Sequence, residues 1–188
     1  MSRRYYACVY AGASNNIKES IKSEVRKLGN IIAQNDFSLV YGAGATGCMG
    51  AVAEGVKEKG GYVMGISPYF IEEFEDIFPC DNTVMVDTMA ERKTLMEKHG
   101  DIYFIVPGGI GTMDEFFQIL TLKYLNRTTA PIVIVNLEGF FDNLINLLED
   151  LVCGGAAGEK IRGLFDVVNS VDEELIGEYF DSLRILGE

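Results

Sequence analysis

Seven short apolar runs mark the chain, at 5–11, 37–41, 61–66, 83–86, 101–106, 131–135 and 165–169. Each is nearly continuous in apolar residues rather than alternating, the pattern of strands covered on both faces of a parallel sheet. Between them the period changes. Over 17–35, Ile17, Ile21, Val25, Leu28, Ile31 and Ile32 recur at helical spacing with Lys and Glu opposite. Helical patterns also fit 48–59, 88–99, 112–126, 139–152 and 172–184. This alternation predicts an α/β fold: one doubly wound, Rossmann-like parallel sheet with helices on both faces. Only 67–82 breaks the rhythm. It carries Glu72, Glu73, Glu75, Asp76, Pro68 and Pro79, and reads either as a flap beside a site or as a solvated loop. The GGAAG stretch at 154–158 reads as a flexible turn. No repeat and no dividing linker interrupts the pattern, so a single domain over 1–188 is expected.

Composition narrows the function. A hydrophobic fraction of 48% supplies a packed core. Sixteen Lys and Arg against 28 Asp and Glu leave a net charge of −12, which argues against nucleic-acid binding through a broad basic surface. A small anion is not excluded, because helix N-termini bind phosphate locally whatever the net charge. The single histidine, His99, excludes sites that need two imidazoles. Cys8, Cys48, Cys80 and Cys153 form no CxxC pair, so no metal site is expected. Their scatter suits a reduced cytoplasmic protein. The apolar stretch from Tyr5 to Ala13 is short and holds three tyrosines, so it reads as a first buried strand rather than a leader. No run approaches the ~18 apolar residues of a membrane span.

In a doubly wound sheet, ligands bind in the crevice at the carboxyl ends of the strands. Two glycine-rich turns follow strands here. In YGAGATGCMG, Gly42, Gly44 and Gly47 fit G-x-G-x-x-G. A dinucleotide site would also want an acid at the end of the next strand, which instead reads Gly65-Ile66-Ser67-Pro68. The bland reading is a tight turn that needs glycine. We take an intermediate reading, in which the turn approaches part of a nucleotide. In VPGGIGTMDEFF, Gly108, Gly109 and Gly111 allow the backbone to curl around an anion, and Thr112 opens a helix whose free N–H groups face it. Thr112-x-x-Glu115 also spells a capping box, which would reduce Glu115 to a helix cap. Asp114 and Glu115, ~100° apart on a helix, do not form a convergent acid–base pair.

The helix MAERKTLMEKHG places one cation oddly. With Met89 at 0°, Met96 falls near ~340°, Leu95 near ~240°, Arg92 near ~300° and Lys93 near ~40°. Glu91, Glu97 and Lys98 point to a solvated face. Arg92 therefore projects from the apolar stripe, either snorkelling at an edge or aimed at a carboxylate or phosphate in a pocket.

Together these stretches resemble the LONELY GUY (LOG) family, cytokinin riboside 5′-monophosphate phosphoribohydrolases often labelled "possible lysine decarboxylase". The family patterns RKxxM and PGGxGTxxE are matched by Arg92-Lys93-x-x-Met96 and by Pro107 through Glu115, with fifteen positions from Arg92 to Pro107. VYAGAS and LVYGAGATGCMG resemble further family motifs, and agreement runs from about residue 5 to 150. The resemblance implies hydrolysis of the N-glycosidic bond of an adenosine 5′-monophosphate-type nucleotide, without cofactor or metal. It implies a catalytic pair of Arg92 and Glu115 with Lys93 beside them. Gly109, Gly111 and Thr112 would hold the phosphate, and Lys93, Gly108, Gly12, Ser14, Gly42, Gly44, Met89, Glu75 and Thr121 would make further substrate contacts. It also implies a homodimer. LOG-like proteins that carry a nucleotide or molybdenum cofactor without hydrolysis are the alternative.

The decarboxylase label does not suit the residues. That chemistry runs through pyridoxal phosphate on a lysine, and the only lysine in a site-like motif, Lys93, is joined to Arg92. The chain departs from the family at Ala11, Ala13, Ala43, Ala90 and Leu122, the last where tryptophan is usual. The departures fall on the base side, so the reaction class carries over more firmly than the base.

Overall fold

The computed structural model describes residues 4–187. Its seven strands are β1 (Tyr6–Tyr10), β2 (Ser38–Tyr41), β3 (Val63–Pro68), β4 (Asn82–Val86), β5 (Ile102–Ile105), β6 (Ile132–Val135) and β7 (Asp166–Val168). The helices are α1 (Glu19–Gln34), α2 (Gly47–Glu58), α3 (Met89–His99), α4 (Ile110–Tyr124), α5 (Asp142–Cys153) and α6 (Glu173–Gly187). All strands are parallel, in the order β4-β3-β2-β1-β5-β6-β7. Every apolar run named above became a strand, and the doubly wound fold is as expected.

The chain winds outward from β1 to β4 through α1 and α2, then returns through α3 to β5 and winds the other way. The reversal falls between β1 and β5, paired through Tyr10 and Ile105. This is where a crevice opens in such sheets. The strands, buried throughout at the centre, divide two cores. On one face Val25, Leu28, Val52 and Phe180 pack against Val9, Leu39 and Phe104. On the other, Met96, Phe116, Ile119 and Leu148 pack against Cys8, Tyr10, Tyr103 and Ile134. The second face, under α3, α4 and α5, holds the candidate site.

Two loops meet at the reversal. The Gly12 N–H donates to the Pro107 carbonyl at 3.2 Å, and a Cβ on Gly12 would lie 2.7 Å from the Gly108 Cα. The backbones after β1 and β5 thus touch, which only paired glycines permit here. The acidic stretch after β3 exposes Glu72, Glu73 and Asp76, but its backbone is tied down. A short 3-10 helix, Tyr69–Glu73, returns the chain over the Gly42–Gly44 turn. There the Ala45 N–H donates to the Asp76 carbonyl and the Phe78 N–H to the Ala43 carbonyl, both at 2.9 Å. The stretch is therefore a flap. Among the described residues no helix is long and apolar enough to cross a membrane.

Candidate active site

The start of α3 decides where Arg92 points. Thr88 caps the helix: the Glu91 N–H donates to Thr88 Oγ1 at 3.1 Å, and the Thr88 N–H donates to Glu91 Oε2 at 3.2 Å. This capping box sets the helix phase so that Arg92 and Met96 are its buried residues. Arg92 is 9% exposed and Glu115, on α4, 4%. Arg92 Nη2 donates to Glu115 Oε1 at 3.1 Å. Of the two readings of Arg92, the structure selects the cation aimed at a carboxylate. Its Nη1 lies 3.9 Å from the Met89 sulfur, so Met89 walls the guanidinium.

Of the solvated face expected for α3, Glu91 and Lys98 are exposed. Glu97 is the departure: it is partly buried and accepts from the Gln118 carboxamide of α4. Burial raises the Glu97 pKa above the usual carboxylate range.

The capping box expected at Thr112 and Glu115 is not formed. α4 begins at Ile110 with Gly109 as its cap, and its first bond runs from the Met113 N–H to the Gly109 carbonyl at 3.1 Å. Thr112 therefore lies inside the first turn. Its hydroxyl oxygen is buried without a hydrogen-bond partner, and Glu115 turns inward to Arg92. Gly109 and Gly111 let the helix start three residues sooner than a cap at Thr112 would set it. The true box, Thr88-x-x-Glu91, has the same spacing in the sequence and was overlooked there. Burial lifts the Glu115 pKa to about 7, against the pull of Arg92 and Lys93, with Asp114 adding to the rise.

The two glycine turns differ in what fills them. At the start of α2, the Met49 N–H donates to the Gly12 carbonyl at 3.2 Å and the Gly47 N–H to Asn15 Oδ1 at 3.4 Å. The Thr46 hydroxyl donates to the Ala13 carbonyl at 2.7 Å. The protein's own oxygens thus occupy the position a dinucleotide phosphate would take. At the start of α4 the N–H groups of Ile110, Gly111 and Thr112 precede the first intrahelical bond. A Cβ on Gly109 or Gly111 would meet nothing within 4 Å, and Ile110 is 87% exposed. The open anion position is therefore the second turn. The first turn instead presses against the pair: Gly42 lies on the Arg92 guanidinium, and the Glu75 carboxylate reaches Gly44 from the flap.

Arg92, Glu115, Met89, Gly42, Gly44 and Glu75 thus gather beside Gly12 and the Gly108–Thr112 turn, at the carboxyl edge of β1, β2 and β5. Two expected residues do not join them. Thr121 lies half a circumference of α4 from Thr112, donates its hydroxyl to the Phe117 carbonyl at 2.7 Å, and lines an apolar hollow with Tyr124 and Leu151. Ser14 accepts from the Asn16 N–H at 3.2 Å and lines a separate hollow with Ile17 and Phe140. Lys93 is engaged by Asp114, its Nζ donating to the two carboxylate oxygens at 2.9 and 2.8 Å. Asp114 was the residue that sequence reasoning set aside; the adjacent doublets Arg92-Lys93 and Asp114-Glu115 were the signal for it.

A protein-family model described as "Possible lysine decarboxylase" matches residues 49–177, a span that contains α3, β5 and α4. The chain belongs to this family, the LOG family. A cytokinin riboside 5′-monophosphate phosphoribohydrolase of Mycobacterium tuberculosis is 35% identical over 169 residues, 89% of each chain. One from Arabidopsis thaliana is 30% identical over 162 residues, 86% of this chain and 76% of that protein. Among solved structures, this LOG-family chain resembles the molybdenum cofactor carrier protein of Chlamydomonas reinhardtii, with TM-score 0.71 and 20% identity over 99% of this chain and 100% of that one. It also resembles the molybdenum cofactor binding protein of Rippkaea orientalis, with TM-score 0.70 and 17% identity over 95% and 98%. At these identities the likeness concerns the fold.

Proposed function

We propose that this LOG-family protein hydrolyses the N-glycosidic bond of an adenosine 5′-monophosphate-type nucleotide, giving free base and ribose 5-phosphate. The observation that carries the reading is the buried Arg92–Glu115 pair set beside an open helix N-terminus. The α4 N–H groups suit the 5′-phosphate, with Gly109 and Gly111 leaving it room. Breaking the C–N bond passes through an oxocarbenium-like state, whose positive charge a buried carboxylate stabilises strongly at low local dielectric. Glu115 supplies that carboxylate. Arg92 orients it and cannot serve as proton donor, since arginine does not titrate usefully. Water adds its hydroxyl to the sugar carbon and its proton goes to the departing base. The names of the relatives at 30–35% identity support the same reaction.

The test is release of free base from adenosine monophosphate and from its prenylated form, wild type against Glu115→Gln. Wild-type turnover that falls by ~10²-fold or more in the variant supports the reading. Binding without release of base from any nucleoside monophosphate would instead make the protein a carrier.

We also propose a homodimer. On α4 and α5, Leu125 and Leu147 are exposed, and Phe117, Leu122 and Tyr124 only partly buried. Such apolar exposure on a chain of net charge −12 suits association. A sedimentation species of monomer mass at micromolar protein would count against it.

A further inference from the structure

Helices α3 and α4 meet through long side chains rather than by close backbone packing. Three polar rungs join them: Arg92 to Glu115, Lys93 to Asp114, and Gln118 to Glu97. The middle rung stands directly beside the catalytic one, from adjacent residues on both helices. Lys93 Nζ is held between both Asp114 oxygens at 2.9 and 2.8 Å. The Lys93 side chain is 17% exposed although its partner is 52% exposed, so the lysine lies along the helix interface and Asp114 draws it there.

We propose that Lys93 and Asp114 are a positioning pair, which holds α3 in register against α4 so that the Arg92 guanidinium stays on Glu115. This rests on the hydrolase reading above. It departs from a role for Lys93 as a direct substrate contact. The geometry makes Lys93 a brace whose charge is already answered, with Asp114, untouched by the reaction, as the residue it acts through. A second consequence is electrostatic. Glu115 is faced by Arg92 and Lys93 from α3, by Asp114 from its own helix, and by Cys8 and Tyr10 from β1. Asp114 and Lys93 act on its charge with opposite signs, so removing either one displaces the Glu115 titration in the opposite direction.

The experiment uses the full chain with Asp114→Asn, Lys93→Met and the charge-swapped double variant Lys93→Asp/Asp114→Lys. Two readouts are taken: kcat and KM for adenosine monophosphate, and the Glu115 carboxyl titration followed by carbon-13 NMR. Each single variant is expected to lower kcat by about tenfold or more with KM changed less than threefold, and the swap to restore most of it. The titration midpoint is expected to fall in Asp114→Asn, rise in Lys93→Met and lie below wild type in the swap, because the charge at residue 114 acts on Glu115 more strongly than that at residue 93. The NMR readout does not need turnover, so it judges the pair even if no nucleotide is hydrolysed. Wild-type kcat in both single variants, or an unmoved Glu115 titration, overturns the proposal. So does a Lys93→Met variant in which KM alone rises, which would make Lys93 a direct ligand.

Discussion

Gly42 and Arg92 are locked together: a Cβ on Gly42 would sit 2.0 Å from Arg92 Nη2 and 2.8 Å from its Cζ. That is closer than real Cβ contacts come, so any side chain at residue 42 forces the guanidinium to shift. Gly42→Ala is therefore expected to displace Arg92 from Glu115 and to cost about tenfold or more in kcat. Arg92→Ala should lose at least as much, because it leaves Glu115 buried without its cation. Equal activity of Gly42→Ala and wild type would show that Arg92 does not act from this position.

The placement of the capping box separates stability from chemistry. Thr88 and Glu91 satisfy N–H groups at the start of α3, whereas Glu115 caps nothing. Thr88→Ala is expected to lower stability by about 1 kcal/mol in denaturant titration, with a smaller effect on turnover. Glu115→Gln should do the reverse, removing turnover while its amide oxygen still accepts from Arg92. If Glu115→Gln unfolds the protein and Thr88→Ala leaves stability unchanged, the assignment is inverted.

The glycines of the anion turn divide in the same way. A Cβ on Gly108 would lie 2.0 Å from Thr112 Oγ1 and 2.7 Å from the Gly12 nitrogen, while one on Gly111 would meet nothing within 4 Å. Gly108→Ala is expected to destabilise the fold. Gly111→Ala, inside the first turn of a helix, should gain roughly 0.5 kcal/mol in stability from the better helix former. Its methyl group would nonetheless enter the space left for the anion. Weaker binding of ribose 5-phosphate by calorimetry, in a protein of undiminished stability, is the expected combination.

How far the sequence carried can be seen in particular residues. Strand positions were legible because a strand buried on both faces reads as an unbroken apolar run, as in Ile132–Val135. Arg92 was legible because helical phase alone placed a cation inside an apolar stripe. Thr112 and Glu115 were misread locally because two T-x-x-E boxes lie 24 residues apart and spacing cannot rank them; the glycine before Ile110 does, by starting α4 early. The flap was ambiguous because its role depends on backbone bonds from Asp76 and Phe78 to a turn more than thirty residues away. Thr121 followed from the family pattern, and helix phase turns it to the opposite side of α4.

The Glu115 carboxyl couples activity and stability to pH in opposite senses. Burial raises its pKa from an ordinary value of 4.5 to about 7 in the folded protein. Below pH 4.5 it is protonated whether the chain is folded or not, and contributes no pH dependence. Between 4.5 and 7 the folded state holds a proton that the unfolded state has released, so stability falls as pH rises. Above 7 the cost of the buried charge is complete, of order 3 kcal/mol, and levels off. The ionised form is the one that stabilises an oxocarbenium ion, so kcat/KM is expected to climb about tenfold per pH unit below 7 and flatten above it. Thermal midpoints and kcat/KM measured from pH 5 to 8.5 check both trends. The stability difference between wild type and Glu115→Gln should shift against wild type across this window, while wild-type activity rises. An acid limb that remains in place in Asp114→Asn would belong to the substrate's own phosphate, which titrates near ~6. A limb that moves down belongs to Glu115. Activity and relative stability rising together with pH would rule out a buried, proton-holding Glu115 as the catalytic carboxylate.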